Sequence, residues 1–589
     1  MIRPGLLFAA AMLAILALAA AFRLPRLAQR PMHADEANQA VKAGRLYETG
    51  KYDYDATDHH GPSLYWLTLP SLALSGAKDL AGSGEVAYRI VPVLFGLGLI
   101  PLLLLLVDAL GRPAVVVAAL LTAISPAMVF YSRYYIQETS LVFFTLAALG
   151  CGWRYVRTGR LAWILAAGAA VGMMHATKET WILSAAAAVA AAGLTWCWGR
   201  LAVGWDKFAP GERRPTITSF ILDHGGPALA DHGYMVPGEL VPPYSHSVFR
   251  TRFRLTFHVL AAILTACLVA VAFYSMFGKN WEGPWKSIYA YANYFRRGSQ
   301  QGEHSEPWYY YLQLLFAYRP SKRIFWSEGF IAVLALIGGI YAIAGRGGSR
   351  VGFSPPLRLG GLKPTLQSSS PALLRFLTFY TVLLTLLYCL ISYKTPWCAL
   401  SFLMGMILLA GVGAAAIFRL VPNWPLKLLA VVALATGAGH LGWQAYQLNF
   451  KPRYLADPLN PYVYAHTPIP LPRLASRLDR LAEHAPEGHD LWIQVVVTDN
   501  YWPLPWYLRK FNEERVCYWL DANAWKQDRD HLPPPGILIL SNDVDCDDIT
   551  TRPGYSGPGN ESLRPGVPIV IYVRNDLWPA YLECIAAGN

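Results

Sequence analysis

Charge is what this chain has least of. Only 15% of its 589 residues are Asp, Glu, Lys or Arg, against roughly 25% in soluble globular proteins. That is too little to cover a water-facing surface of this size, so a soluble enzyme, a disordered scaffold and a fibrous protein are excluded. Cysteine is also sparse. The eight present form no C-x-x-C and no zinc-ligand spacing, and Cys151, Cys197, Cys267, Cys389 and Cys398 lie in or beside apolar runs. No internal repeat is visible, which argues against an inverted-repeat transporter.

What fills the chain instead is apolar: 54% hydrophobic residues and a mean hydropathy of +0.29. Runs of about 15–22 such residues, the length a bilayer core demands, recur down to about residue 445. They lie near 5–22, 88–107, 114–131, 140–153, 161–175, 180–198, 256–277, 326–345, 373–391, 397–417 and 427–445, about eleven spans in all. The first has no small-residue cleavage site before a polar start and reads as an uncleaved span. The expectation is a polytopic α-helical membrane protein, with residues 1–448 forming the membrane domain.

The net charge of +12 reads as loop charge beside anionic lipid or as attraction for a phosphate-bearing lipid; nothing suggests nucleic acid. Compact basic clusters at Arg154/Arg157/Arg160 and Arg346/Arg350/Arg358/Lys363 place the N-terminus and the 199–255 insert on the cytoplasmic side. Arg23, Arg26 and Arg30 argue the other way. On the cytoplasmic reading, the first loop 23–87, the aromatic-rich loop 278–325 and everything after about 446 are extracytoplasmic. Within 449–589, Leu491–Thr498, Gly536–Leu540 and Val567–Val573 read as strands and Leu474–His484 as a helix, giving an extracytoplasmic α/β domain.

The densest chemistry follows the first span, in the stretch MHADEANQAVKAGRLYETGKYDYDATDHHGPSLY from Met32 to Tyr65. His33–Tyr47 reads as an amphipathic helix with Ala37, Ala40, Val41, Gly44 and Tyr47 toward the membrane. Asp35 and Glu36 sit in its first turn, where they either complement the helix dipole or serve as a general base at the mouth of a pocket. His33, His59 and His60 lie near Asp35 and Asp58, but in no fixed metal-ligand spacing. In 278–325, aromatics including Trp285, Tyr289, Tyr291 and Pro307–Tyr311 read first as an interfacial belt and second as a sugar-stacking loop. Trp502 and Trp506 read as packing against the membrane domain or as a carbohydrate platform. Asp543, Asp545, Asp547 and Asp548 fail the EF-hand pattern and read as a solvated acidic loop.

These residues carry a resemblance. An Asp-Glu pair just past the first span resembles the GT-C membrane glycosyltransferases, notably glycosyltransferase family 39, which includes protein O-mannosyltransferases and the lipid A aminoarabinose transferase. H-x-D-E, G-x-Y-x-Y-D and H-G-P-x-L-Y are similar to the flippase-activity-associated family of archaea and bacteria. So are Thr177-Lys178-Glu179, Ser392-Tyr393-Lys394-Thr395-Pro396-Trp397 and Tyr501–Tyr507 (YWPLPWY).

The resemblance implies a GT-C fold and transfer of a sugar from a polyprenyl-phosphate donor to a hydroxyl acceptor on a glycan, lipid or protein. Asp35 would be the base, with Glu36 assisting or holding a neighbouring group. Lys394, Arg133 and Lys178, each at the end of an apolar span, would grip the lipid phosphate. Glu138 and Glu179 would orient those cations, and His59, His60, His304, Tyr393 and Trp397 would line the substrate site. No cofactor is expected as certain, although oligosaccharyltransferase-type GT-C sites use a divalent metal. The alternative is a lipid-linked-sugar flippase or its non-catalytic accessory, but the apolar runs hold almost no charge at mid-membrane.

Overall fold

The computed structural model describes residues 4–57, 60–206, 245–299, 305–344, 370–544 and 554–586. Each of the eleven apolar segments falls on a helix. Among the described residues, eight helices are long and apolar enough to cross a membrane: Pro4–Arg23, Glu85–Leu110, Glu138–Thr158, Trp181–Arg200, Arg254–Tyr274, Pro371–Leu390, Pro396–Leu420 and Trp424–Phe450. The expected count of eleven spans exceeds this because Leu161–His175 and Gly329–Ala344 are shorter, and 114–131 falls on a broken pair. The apparently short 140–153 segment lies within a 21-residue helix, since its polar ends at Glu138 and Arg157 are helical too.

The broken pair, Arg112–Ile124 and Pro126–Ser132, bends by 59°. Pro126 has no N–H for the Thr122 carbonyl, and the Ala127 N–H turns to Glu328 Oε1 at 2.8 Å instead of to Ala123. Both stranded carbonyls are taken up by Arg23, which donates from Nη2 to Thr122 O at 2.7 Å and from Nη1 to Ala123 O at 3.0 Å. Glu328 also accepts from Ser125 Oγ at 2.5 Å and Tyr462 Oη at 2.6 Å. A cation caps the C-terminal end of one half-helix and a carboxylate the N-terminal end of the other, as the helix dipoles favour.

The first loop contains the expected helix, Ala34–Thr49, capped by His33 in a reciprocal capping box with Glu36. Its apolar face, with Ala37, Ala40, Val41 and Gly44, is buried in protein rather than turned to lipid as the sequence suggested. It packs against helix Ser63–Ser75 and the Leu80/Tyr88 region. Glu36 and Arg89 are both fully buried and paired: Arg89 Nε to Oε1 at 2.8 Å and Nη2 to Oε2 at 2.7 Å.

After a short hairpin of β1 (Tyr318–Ser321) and β2 (Ile324–Trp326), the remaining strands form one sheet near the C-terminus. They are β3 (Ile493–Val496), β4 (Val516–Trp519), β5 (Ile537–Ser541), β6 (Tyr555–Arg564) and β7 (Val567–Arg574), in the order β4-β3-β5-β7-β6. β3 pairs parallel with β4 and β5, and β7 pairs antiparallel with β5 and β6. Helices Pro470–His484 and Trp578–Ala586 cover one face over a core of Leu474, Leu478, Ile493, Ile539 and Ile571. Cys517 and Cys584 are free thiols, and Cys546 lies outside the described residues.

Arg89→Met leaves the Glu36 carboxylate buried without its partner, which costs about 3–5 kcal/mol. The variant is expected to unfold at markedly lower temperature in detergent, and pairing it with Glu36→Gln is expected to recover part of the loss.

Candidate functional site

Asp35 and Glu36 are neighbours in sequence with opposite surroundings. Besides Arg89, the Glu36 carboxylate accepts the Tyr135 N–H at 2.8 Å and the His33 N–H at 3.2 Å. Burial alone would raise its pKa, but the Arg89 and Arg30 charges outweigh that and hold it below the ordinary glutamate range. These hydrogen bonds hold Glu36 to the backbone of its own loop, to Tyr135 and to Arg89. Asp35 is half-buried, and its carboxylate accepts no hydrogen bond among the described residues.

Beneath Asp35 lies a basket of rings. The Asp35 N–H donates to His33 Nδ1 at 3.0 Å, so the ring proton sits on Nε2, which donates to Tyr464 O at 2.9 Å. The His33 ring lies 4.9 Å from His466, 5.6 Å from Tyr134 and 6.0 Å from Trp397. Arg30 stacks on Phe130 at 4.3 Å and Tyr134 at 4.9 Å. Tyr134 Oη and His466 Nε2 are buried and have no hydrogen-bond partner among the described residues. Unpaired buried polar atoms are costly, and two side by side next to a free carboxylate mark a place for a polar ligand. Burial lowers the pKa of both His33 and His466, the latter strongly and with help from the neighbouring His33 and Arg30.

The other motifs converge on the same end of the bundle. The H-G-P segment docks on T-K-E: Ser63 N–H donates to Ala176 O at 2.9 Å, Ser63 Oγ meets Thr177 Oγ1 at 2.7 Å, and His60 Nδ1 lies 3.0 Å from Glu179 Oε2. A Cβ on Gly61 would sit 2.2 Å from Ala176 O, so only glycine permits this approach. Burial opposes ionisation of Glu179, but His60 and Lys178 hold its pKa below the ordinary value.

Lys178 is buried and ion-paired with Glu138. Burial works against its charge, yet Glu138 more than compensates and raises its pKa. Glu138 Oε2 has no partner among the described residues. Tyr131 contributes to both regions: its ring lies 5.9 Å from Tyr134 and 6.4 Å from Trp397, and its carbonyl accepts Thr139 Oγ1 beside Glu138.

S-Y-K-T-P-W supplies Trp397 to the basket, while Lys394 Nζ donates to the carbonyls of Glu306 (2.9 Å) and Ile391. Tyr393 is exposed and its backbone bridges to Ser305, tying this motif to the aromatic loop. Arg133 is engaged differently from the expectation. It donates to the carbonyls of Phe22, Arg23, Pro25 and Arg26 and stacks 4.7 Å from Phe450. In this conformation it clamps the chain leaving the first span rather than presenting free donors to a phosphate. His59, Asp58 and His304 lie outside the described residues.

Several contributors were missed in the sequence. Arg30, Tyr134 and His466 carried no recognised motif, and Glu328 was passed over within the 326–345 segment. The segment Pro452–Thr467 brings Tyr462, Tyr464 and His466 into the membrane domain, and Thr467 Oγ1 donates to Met32 O at 2.7 Å. Trp506 is fully buried and packs edge-on against Tyr88 at 5.2 Å, so it is a packing residue, while Tyr507 Oη accepts the Met32 N–H at 2.8 Å. As for a divalent metal, no group of three or more His, Cys, Asp or Glu suited to one exists among the described residues. Both nitrogens of His33 are already committed, so His33 itself has none left for a metal.

Residues 13–222 match the family described as Dolichyl-phosphate-mannose-protein mannosyltransferase. No curated protein matches the chain. Among solved structures, ArnT from Cupriavidus metallidurans bound to undecaprenyl phosphate superposes with a TM-score of 0.56 at 15% identity, over 97% of this chain and 98% of that one. Its apo state gives 0.55 at 14% identity, over 96% and 97%. The archaeal oligosaccharyltransferase AglB from Archaeoglobus fulgidus, in complex with an inhibitory peptide and a dolichol-phosphate, gives 0.49 at 11% identity, over 91% and 69%. The chain is an integral membrane protein with the fold of the GT-C glycosyltransferases, and roughly its first third matches the protein mannosyltransferase family.

Proposed function

We propose that the protein is a glycosyltransferase that moves a sugar from a polyprenyl-phosphate donor to a hydroxyl acceptor on the extracytoplasmic face of the membrane. The observation that carries this reading is the contrast between the two first-loop acids. Glu36 is locked to Arg89, while Asp35 holds a free carboxylate over buried, unpaired hydrogen-bonding atoms. The fold and the family match agree with it: the similar structure of ArnT is bound to undecaprenyl phosphate.

In the proposed reaction the acceptor hydroxyl gives its proton to Asp35 as its oxygen attacks the anomeric carbon. The bond from that carbon to the phosphate oxygen breaks, the polyprenyl phosphate leaves with the electron pair, and the anomeric centre inverts. Tyr134 and His466 supply polar contacts to sugar or acceptor, and Trp397 an apolar ring face. Lys178 and Lys394 stabilise the charge growing on the phosphate. Lys178 would exchange part of its contact with Glu138 for the phosphate, and Glu138 keeps it protonated until then. Arg133 and Glu36 act as positioning residues for the first loop.

Asp35→Asn is expected to lower turnover by about 10³-fold, within the usual range for loss of a general base, with donor binding unchanged. Purified protein with radiolabelled polyprenyl-phosphate sugars and a membrane extract tests this. Normal donor binding with no turnover in either protein would instead favour transport. Lys178→Met is expected to lose both stability and turnover; adding Glu138→Gln should restore the melting temperature but not the turnover.

Because the pKa values of His33 and His466 are lowered on folding, the unfolded chain takes up their protons first as pH falls below about 6.5. Stability is therefore complete above that pH and declines below it. His466→Gln should flatten the acid side of a melting-temperature profile.

A further inference from the structure

Helix Glu282–Ser299 has two unlike faces. On one, Trp285 (69% exposed), Ile288 (58%) and Tyr289 (71%) form a stripe that Trp281 (66%) and Phe277 (59%) extend toward the preceding span. Phe277 meets the Trp66 ring edge-on at 5.0 Å, and all five side chains remain more than half exposed. On the other face Gly283, Ser287 and Ala290 are buried. A Cβ on Gly283 would lie 2.0 Å from the carbonyl of Tyr274, the last residue of the span Arg254–Tyr274, so the helix is seated directly on the end of that span. Tyr291 Oη meets His175 Nδ1 at 2.8 Å and accepts from Trp181 Nε1 at 2.6 Å. His175 ends one apolar helix and Trp181 begins another. The helix therefore lies across the ends of three apolar helices.

We propose that helix Glu282–Ser299 is an interfacial helix, with Phe277, Trp281, Trp285, Ile288 and Tyr289 embedded in the bilayer surface on the side that carries the first loop. The occupant of this face is lipid. The adjoining span also exposes Ile263, Leu264 and Leu268, so the element on which the helix is seated presents an apolar surface of its own. Trp and Tyr are the residues that favour the boundary, with apolar rings and polar edges. Lys279 and Lys286 flank the stripe, and their long side chains can reach anionic headgroups. The inner face meanwhile fixes His175 and Trp181 on either side of Lys178 and Glu179. This inference does not rest on the proposed transferase activity.

The test is tryptophan fluorescence of the full chain reconstituted in phosphatidylcholine vesicles, comparing the native protein with W281F/W285F. Subtracting the two isolates the emission of Trp281 and Trp285. In vesicles brominated at acyl positions 6 and 7, that difference emission is expected to fall about twofold relative to unbrominated lipid, as for an interfacial aromatic. Difference emission unchanged by brominated lipid overturns the proposal, whether or not aqueous iodide quenches it. W285F alone provides the same subtraction if the double variant does not purify, since phenylalanine keeps the stripe apolar.

Discussion

The ion pair between Glu36 and Arg89 organises the first loop. Arg89 stands in the second long apolar helix and gathers the carbonyls of Leu27, Arg30 and Pro31 as well as the Glu36 carboxylate. One guanidinium thus satisfies three backbone carbonyls where the chain turns back from the first span. Two charges fully removed from water are stabilising only when every lone pair and proton is matched, and here Glu36 also takes the N–H groups of His33 and Tyr135. The result is a rigid origin for helix Ala34–Thr49, and one residue earlier in its first turn Asp35 is held in place without its own carboxylate being used.

The same logic recurs along that end of the bundle. Two irregular stretches of backbone there are stabilised by buried ionisable groups from elsewhere in the chain. Arg23 takes the carbonyls freed by Pro126, Glu328 takes the N–H freed by the same break, and Arg133 takes the carbonyls of Phe22 to Arg26. In hydrocarbon such groups have no water to turn to. Buried arginines that look like candidates for substrate phosphate are therefore, in part, supports for non-helical backbone. That explains why Arg133 stood out in the sequence and yet has its donors occupied.

The membrane architecture was legible because hydropathy reports it directly, and the resemblance is what drew attention to the motif-bearing residues. The capping position of Glu36 was readable too, since a carboxylate three residues after a polar cap is a local pattern. What could not be read was whatever depends on distant segments. Nothing near Glu36 in sequence announces Arg89, and nothing near Ser125 announces Glu328. β6 escaped because YSGPGNESLR is poor in strand formers and is held by its pairing with β7; β4, with VCYW, is too short to show a period. The apolar face of the first-loop helix was correctly identified but assigned to the wrong neighbour, because a helical stripe does not distinguish lipid from protein.

The segment Pro452–Thr467 has a consequence for how the molecule is made. Its Tyr464 carbonyl fixes the His33 ring and its His466 completes the basket, while Trp506 and Tyr507 press on the first loop from still later in the chain. The acid that opens the site is synthesised about 430 residues before His466, which helps to enclose it. During synthesis the first loop must therefore wait for the segment Pro452–Thr467 and for Trp506 and Tyr507 before these contacts can form. A nascent protein interrupted before the C-terminal domain would carry the whole bundle and still lack an enclosed site.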